Sequence, residues 1–398
     1  MIVARAVGGR AALILLTLLA CNVKSTEPPA LATAERLDAP RADVAPAPAS
    51  PAPSAAEASP APPPGVERVV LITLDGLRWQ EVFAGSGVEG AAGGPPLMPN
   101  LHRLVAESGT ILGGPGCEHD VRASGPNYVS LPGYMELFGG RPPAACRNNK
   151  CGQTKATTVL DEVRATSSAE DVAVFSSWSK YARAVTRIPH SFVVSSGART
   201  ANVRHLGDDA VLRAHLDEGA AHAGFPGWGD YRPDEHTGRA ALRYLETVRP
   251  RLLVVGLGDA DDYGHRGDPK GYRRAIGEAD AFIADVDRAV SAIDAGGERR
   301  TAIVVTTDHG RERSLRHHGA GFPDSARVFV AAFGAGIARR GPTCATSPLR
   351  LGDVAGVVRA LLRVGTDAPE GSLVAEVVAP PTNDAAGSNA RMLAGPSL

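Results

Sequence analysis

Three apolar runs in this chain each lead into groups that bind metals or move protons. Arg68 to Leu74 stops at Asp75-Gly76. Arg251 to Gly256 leads into Gly258-Asp259-Ala260-Asp261-Asp262-Tyr263-Gly264-His265. Thr301 to Val305 runs into Thr307-Asp308-His309-Gly310, with His317-His318-Gly319 shortly after. Carboxylates and imidazoles mixed in this way suit zinc or a similar divalent cation. Singly each is weak, because an Asp-Gly after a strand is ordinarily a turn and an Asp-His-Gly is ordinarily a loop. Together, at three strand ends, they are hard to explain as turns. A fourth piece is Ser130-Leu131-Pro132-Gly133-Tyr134-Met135-Glu136-Leu137-Phe138-Gly139-Gly140-Arg141. A hydroxyl at a helix start sits where backbone N–H groups and the helix dipole favour negative charge, which suits both a serine alkoxide and a phosphoryl group. Taken alone, Ser130 reads first as a helix cap.

The elements that must position these groups alternate in type. Continuous apolar runs over 68–74, 251–256, 301–305 and 328–333 predict strands buried on both faces. A short strand is predicted over 172–175. Helical spacing is predicted over 98–107, 132–138, 157–165, 236–248, 271–295 and 350–363. Strands alternating with helices predict an α/β fold with a mostly parallel central sheet. In such sheets ligands bind beyond the carboxyl ends of the strands, where the acidic and histidine residues fall.

As a set, these residues resemble the alkaline phosphatase superfamily, particularly its type I phosphodiesterase and sulfatase-like branches. Ser130, Pro132, Leu137, Gly140 and Arg141 fit the nucleophile segment, with Gly139 in place of the usual threonine. Asp75 matches the first-strand ligand, Asp261 and His265 the Asp-x-x-Gly-His segment, Asp308 and His309 the Asp-His-Gly segment, and His318 the later His-Gly. The resemblance covers roughly residues 67 to 375. It implies an alkaline phosphatase-like three-layer sandwich and two divalent metal ions, expected to be Zn2+. One ion would be held by Asp75, Asp308 and His309 and touch the Ser130 oxygen; the other would be held by Asp261, His265 and His318. Asp259 and Asp262 are alternatives to Asp261, His317 to His318, and Ser124 to Ser130. Asn148 or Asn149 lies close to where related phosphodiesterases place an asparagine on a non-bridging oxygen. Lys180 and Arg183 are weaker candidates for a phosphate, and Trp79 and Trp228 read first as core residues. The implied activity is hydrolysis of phosphoric mono- or diesters through a covalent phosphoserine on Ser130. The substrate class would be a small-molecule or lipid-derived phosphoric ester. A sulfatase is the alternative, although its signature has arginine four positions after the nucleophile, where this chain has Tyr134. A non-catalytic metal-binding protein on the same fold is the third reading.

The chain has 398 residues, 43% hydrophobic and 21% charged, with a formal net charge of -1. Neither this balance nor any basic run offers a field for nucleic acid. Residues 1–20 read as a signal peptide: Arg5 and Arg10 precede a short apolar stretch, Ala11 to Ala20. It ends at Leu18-Leu19-Ala20-Cys21, which resembles the bacterial lipobox; an ordinary signal peptide with an incidental cysteine is the alternative. Lipidation of Cys21 would anchor the protein to a membrane. Asn22 implies outer-membrane sorting, facing periplasm or exterior. Residues 21–65 are a Pro/Ala-rich tether, too polar to pack and extended at about 3.1 Å per residue. The catalytic domain is expected over 66–380, with inserted loops around 140–250, and a flexible tail over 381–398. An exported chain meets an oxidising compartment. Cys146 and Cys151 bracket Arg-Asn-Asn-Lys, a loop that a disulfide could staple, a zinc knuckle being the competing reading. Cys117 with Cys344 then follows by elimination.

Overall fold

The computed structural model describes residues 65–84, 95–198, 203–222, 224, 226–295, 297–365 and 372–380. The signal peptide, Cys21, the tether before Gly65 and the tail over 381–398 fall outside these residues. The strands are β1 (Arg68–Leu74), β2 (Gly109–Leu112), β3 (Val121–Arg122), β4 (Val172–Ser176), β5 (Val193–Ser196), β6 (Leu252–Leu257), β7 (Thr301–Thr306), β8 (Arg327–Val328), β9 (Val330–Gly334), β10 (Gly341–Pro342) and β11 (Leu349–Arg350). The helices are α1 (Trp79–Phe83), α2 (Pro99–Ser108), α3 (Ser130–Gly139), α4 (Val159–Ala165), α5 (Ala182–Val185), α6 (Ala210–Ala221), α7 (Asp234–Val248), α8 (Asp259–Arg266), α9 (Pro269–Ile293), α10 (Asp353–Leu362) and α11 (Ser372–Val377).

Among the described residues, eight strands form one sheet in the order β10-β2-β9-β7-β1-β6-β4-β5. From β7 to β5 all neighbours are parallel, while β9 runs antiparallel to both β7 and β2. β1 is central and buried along Val69–Leu74. Its side chains alternate between two cores, as the period of two of a strand requires. Val69 and Leu71 face a core shared with α3, α4, α10 and α11. Val70 and Ile72 face a second core shared with α2, α6, α7 and α9. Helices on both faces of a mostly parallel sheet make the three layers that the sequence implied. A smaller sheet, β11-β3-β8, lies beside the main one in sequence.

Several elements differ from the sequence expectation. The apolar run 328–333 is two strands that part at Phe329, β8 in the small sheet and β9 in the large one. A uniformly apolar run carries no periodicity to mark such a break. The predicted helix 350–363 begins at Asp353, after a two-residue strand. Residues 259–266, which read in the sequence only as polar groups following a strand, form helix α8. The strands β2 and β5 and the helix α6 were not legible, being short or only weakly periodic. The stretch 140–250 contributes β4, β5, α4 and α7 to the sheet and its covering layers.

Cys146 is bonded to Cys151 and Cys117 to Cys344. The second bridge joins positions 227 residues apart, and a long closed loop restricts the unfolded chain most. Replacing Cys117 and Cys344 with serine is expected to lower stability by about 2–4 kcal/mol in denaturant unfolding; an unchanged midpoint would show that the bridge is absent or idle. Non-reducing peptide mapping should recover Cys146 linked to Cys151.

Candidate active site

The order β7-β1-β6 puts the ends of the three apolar strands side by side. Asp75 follows β1, Asp308 and His309 follow β7, and α8 starts two residues after β6. On α8, Asp261 and His265 are four residues apart and so share a helix face; His265 Nε2 lies 3.2 Å from Asp261 Oδ2. His318 comes from the loop after β7. These residues fall into two groups, Asp75 with Asp308 and His309, and Asp261 with His265 and His318, each with its ligand atoms within 4.8 Å of one another. α3 leans against the end of β7 so closely that a Cβ at Gly133 would lie 2.7 Å from the Asp308 carbonyl oxygen.

The imidazoles are oriented by the backbone. His309 Nδ1 is 2.8 Å from the Gly310 carbonyl, His265 Nδ1 2.9 Å from that of Arg316, and His318 Nδ1 2.9 Å from that of Tyr128. A carbonyl only accepts, so each Nδ1 carries the proton and each neutral ring turns an Nε2 lone pair inward. His265 Nε2 and His318 Nε2 face each other at 3.0 Å. Two lone pairs at that distance repel unless a proton or a cation joins them. Burial, and then His318, hold His309 well below the usual imidazole range, and burial also lowers His318. Both are therefore neutral ligands near pH 7. Burial lowers His265 too, but Asp261 outweighs it and the net shift is upward.

The carboxylates complete the pattern. Burial pushes Asp75 well above the ordinary range, and Asp308 and Asp261 push it further. Asp308 is fully buried and is raised well above that range, first by burial. Its Oδ1 accepts from the Gly76 N–H at 3.1 Å. Its Oδ2 has no hydrogen-bond partner and lies 3.4 Å from His309 Nε2. A fully buried carboxylate oxygen without a hydrogen-bond partner, beside an imidazole, suits a cation. Asp261 differs: burial raises it, but Arg311 and the two histidines hold it well below its ordinary value. The fully buried Arg311 donates to Asp261, to the Leu315 carbonyl and, at 2.9 Å from Nε, to the Gly76 carbonyl. Gly76, at φ +59°, has no room for a Cβ beside Asp261 and Arg311.

Ser130 is the first residue of α3, and its hydroxyl makes no capping bond. Its Oγ instead lies 3.4 Å from Asp75 Oδ1 and 3.4 Å from His309 Nε2. One turn on, the Tyr134 hydroxyl donates to Asp75 Oδ2 at 3.0 Å. Asn149 Oδ1 accepts from the Leu131 N–H at 2.8 Å, so its amide sits against the start of α3. Asn148 turns back within its loop and accepts from the Lys150 N–H. The alternative residues go elsewhere. Ser124 donates to Glu136 at 2.7 Å, and His317 stacks on Phe322. Asp259 accepts from Tyr231 at 2.6 Å. Asp262 belongs to neither group, and burial pushes it up to about 8. Arg183 donates to the Cys151 carbonyl, and Lys180 lies over Trp178. Trp79 lies under Arg327. Trp228, expected in the core, is 56% exposed. Arg311 and Tyr134 support the site without a motif of their own. Their sequence signals are slight: Arg311 directly follows Asp308-His309-Gly310, and Tyr134 stands four residues after Ser130 on one helix face.

The architecture is that of the alkaline phosphatases and sulfatases, and it carries two groups suited to divalent cations. Residues 232–358 match the Metalloenzyme superfamily. The chain is 36% identical over 70 residues to a phosphopentomutase of Clostridium acetobutylicum, a match spanning 17% of this chain but only 16% of that protein. Among solved structures, the alkaline phosphatase PafA superposes with a TM-score of 0.55 at 12% identity, covering 81% of this chain and 100% of that one. A 2-O GAG sulfatase superposes with a TM-score of 0.51 at 12% identity, covering 78% of this chain and 75% of that one. At such identities the structural likeness establishes the fold.

The raised Asp308 gives a prediction with a sign. A carboxyl whose folded pKa exceeds its unfolded value of about 3.9 stabilises the fold when protonated, and that stability is lost as pH rises toward the folded pKa. Near pH 7 without metal, Asp308 therefore opposes folding. Asp308→Asn is expected to melt above the wild type in chelator and to lose the rise in melting temperature that zinc gives the wild type. The wild type melting higher in chelator would contradict this reading of the site.

Proposed function

We propose that this protein is a two-metal hydrolase of phosphoric esters that acts through a covalent phosphoserine at Ser130. The observation that carries the reading is the position of the Ser130 hydroxyl, at the first turn of a buried helix and 3.4 Å from both Asp75 and His309. Asp75, Asp308 and His309 would hold one divalent ion and Asp261, His265 and His318 the other, with zinc matching the mixed nitrogen and oxygen donors. Such ions lower the pKa of a bound hydroxyl and neutralise charge on a phosphoryl group. Ser130 Oγ attacks phosphorus, its proton is released, and the ester oxygen leaves; water then cleaves the Ser130–phosphate bond and regenerates the hydroxyl. Ser130 stands at the first turn of α3, where the helix dipole favours the added negative charge. Tyr134 holds Asp75 through its hydroxyl, and Arg311 holds Asp261. The amide of Asn149, held against Leu131, would meet a non-bridging oxygen.

Tyr134 also favours phosphoric over sulfuric esters, because it fills the position where the sulfatase signature carries arginine. The intact, oriented donor set favours catalysis over a purely metal-binding role. The same reading places the enzyme in the cell envelope, anchored by lipid on Cys21 and facing periplasm or exterior. The Cys21→Ser protein should leave the membrane fraction or remain unprocessed, whereas unlabelled, soluble wild type would remove the anchor.

Ser130→Ala should keep zinc and the fold yet lose roughly 10³-fold or more of turnover on aryl phosphate esters. Near-normal turnover in Ser130→Ala, with loss in Ser124→Ala, would move the nucleophile upstream.

A further inference from the structure

Trp228 is the most exposed of the large hydrophobic side chains among the described residues, at 56%. Exposed aromatics are common singly, but this one stands against the site. Its ring centroid is 6.0 Å from that of His265, a member of the second cation group. Its position is built rather than incidental. Arg266, the next residue of α8 after His265, lies 4.8 Å from the indole centroid. The Arg266 guanidinium donates from Nε to the Pro226 carbonyl at 2.6 Å and from a terminal nitrogen to the Gly227 carbonyl at 3.1 Å. A planar fork on two successive carbonyls fixes the backbone just before Trp228. The last turn of α8 therefore carries a site histidine and, one residue later, the clamp for a loop that holds an indole beside it.

Trp228 keeps more than half of its surface in solvent. A large flat surface with little side-chain entropy is well suited to stacking on another planar group. Resting on the phosphoric ester reading, we propose that Trp228 is a specificity-determining residue whose indole receives a planar aromatic or heteroaromatic substituent of the ester, with Arg266 as its positioning residue. Small alkyl esters would reach the metal groups without using this surface.

The test is binding, by calorimetry, of phenylphosphonate and methylphosphonate to the zinc-loaded full chain, with phenylsulfonate and methylsulfonate as a parallel pair. The wild type is expected to favour phenyl over methyl by about three- to tenfold. In Trp228→Ala the ratio should fall to about one at unchanged zinc content, while Trp228→Phe retains most of it. Arg266→Lys keeps the charge but not the fork, and should also lower the ratio. If the phenyl preference persists in Trp228→Ala, or is absent from the wild type while phosphonates bind, the platform is wrong and the phosphoric ester reading stands. If only sulfonates bind and their phenyl preference depends on Trp228, the platform stands and the phosphoric ester reading fails.

Discussion

The structure depends on one electrostatic conflict. Asp75, Asp308 and Asp261 converge with three imidazoles, and Asp75, Asp308 and His309 are buried. Two like charges about 4 Å apart repel by about 4 kcal/mol at the effective dielectric of a protein. Arg311 relieves only Asp261. Among the described residues no lysine or arginine pairs with Asp75 or Asp308, and burial raises both. Such an arrangement suits a bound cation, and without one it holds together only if the surrounding scaffold is rigid.

That rigidity is traceable. β7, β1 and β6 are fully paired neighbours in parallel register, so the three strand ends cannot separate without breaking the sheet. The histidines are held through Nδ1 by main-chain carbonyls, which fixes ring orientation independently of any ligand. Gly133 lets α3 approach the end of β7, and α3 delivers both Ser130 and Tyr134 to the first group. Ser130 and the two candidate cation groups thus belong to one mechanical unit, in which hydroxyl, carboxylate and imidazole are set in advance. Preorganisation of this sort is what phosphoryl transfer chiefly requires, since stabilising charge is most of the chemistry.

Much of this was legible in the sequence because buried parallel strands announce themselves as unbroken apolar runs, and each run ended in a polar group with no packing role. Asp75, Asp261, His265, Asp308, His309 and His318 were legible for that reason. What escaped was whatever depends on side-chain reach through space. Arg311 resembles any loop arginine until its guanidinium is seen against Asp261, and Trp228 resembles a core residue until the loop around it is placed. The helix over 259–266 was not legible because its residues read only as a strand end, yet its three aspartates are favourable in a first helical turn. Short strands such as β2 and the edge strand β5 carry too few residues for a period to show.

The central claim is that Ser130 becomes covalently phosphorylated during turnover. The direct measurement is acid quench of the zinc-loaded enzyme during hydrolysis of an aryl phosphate ester, followed by peptide mass mapping. The account predicts a single phosphate, on the peptide that contains Ser130, appearing at a rate compatible with turnover and absent from the Ser130→Ala protein. Sustained turnover with no phosphate on Ser130, or with phosphate on Ser124 instead, would contradict it.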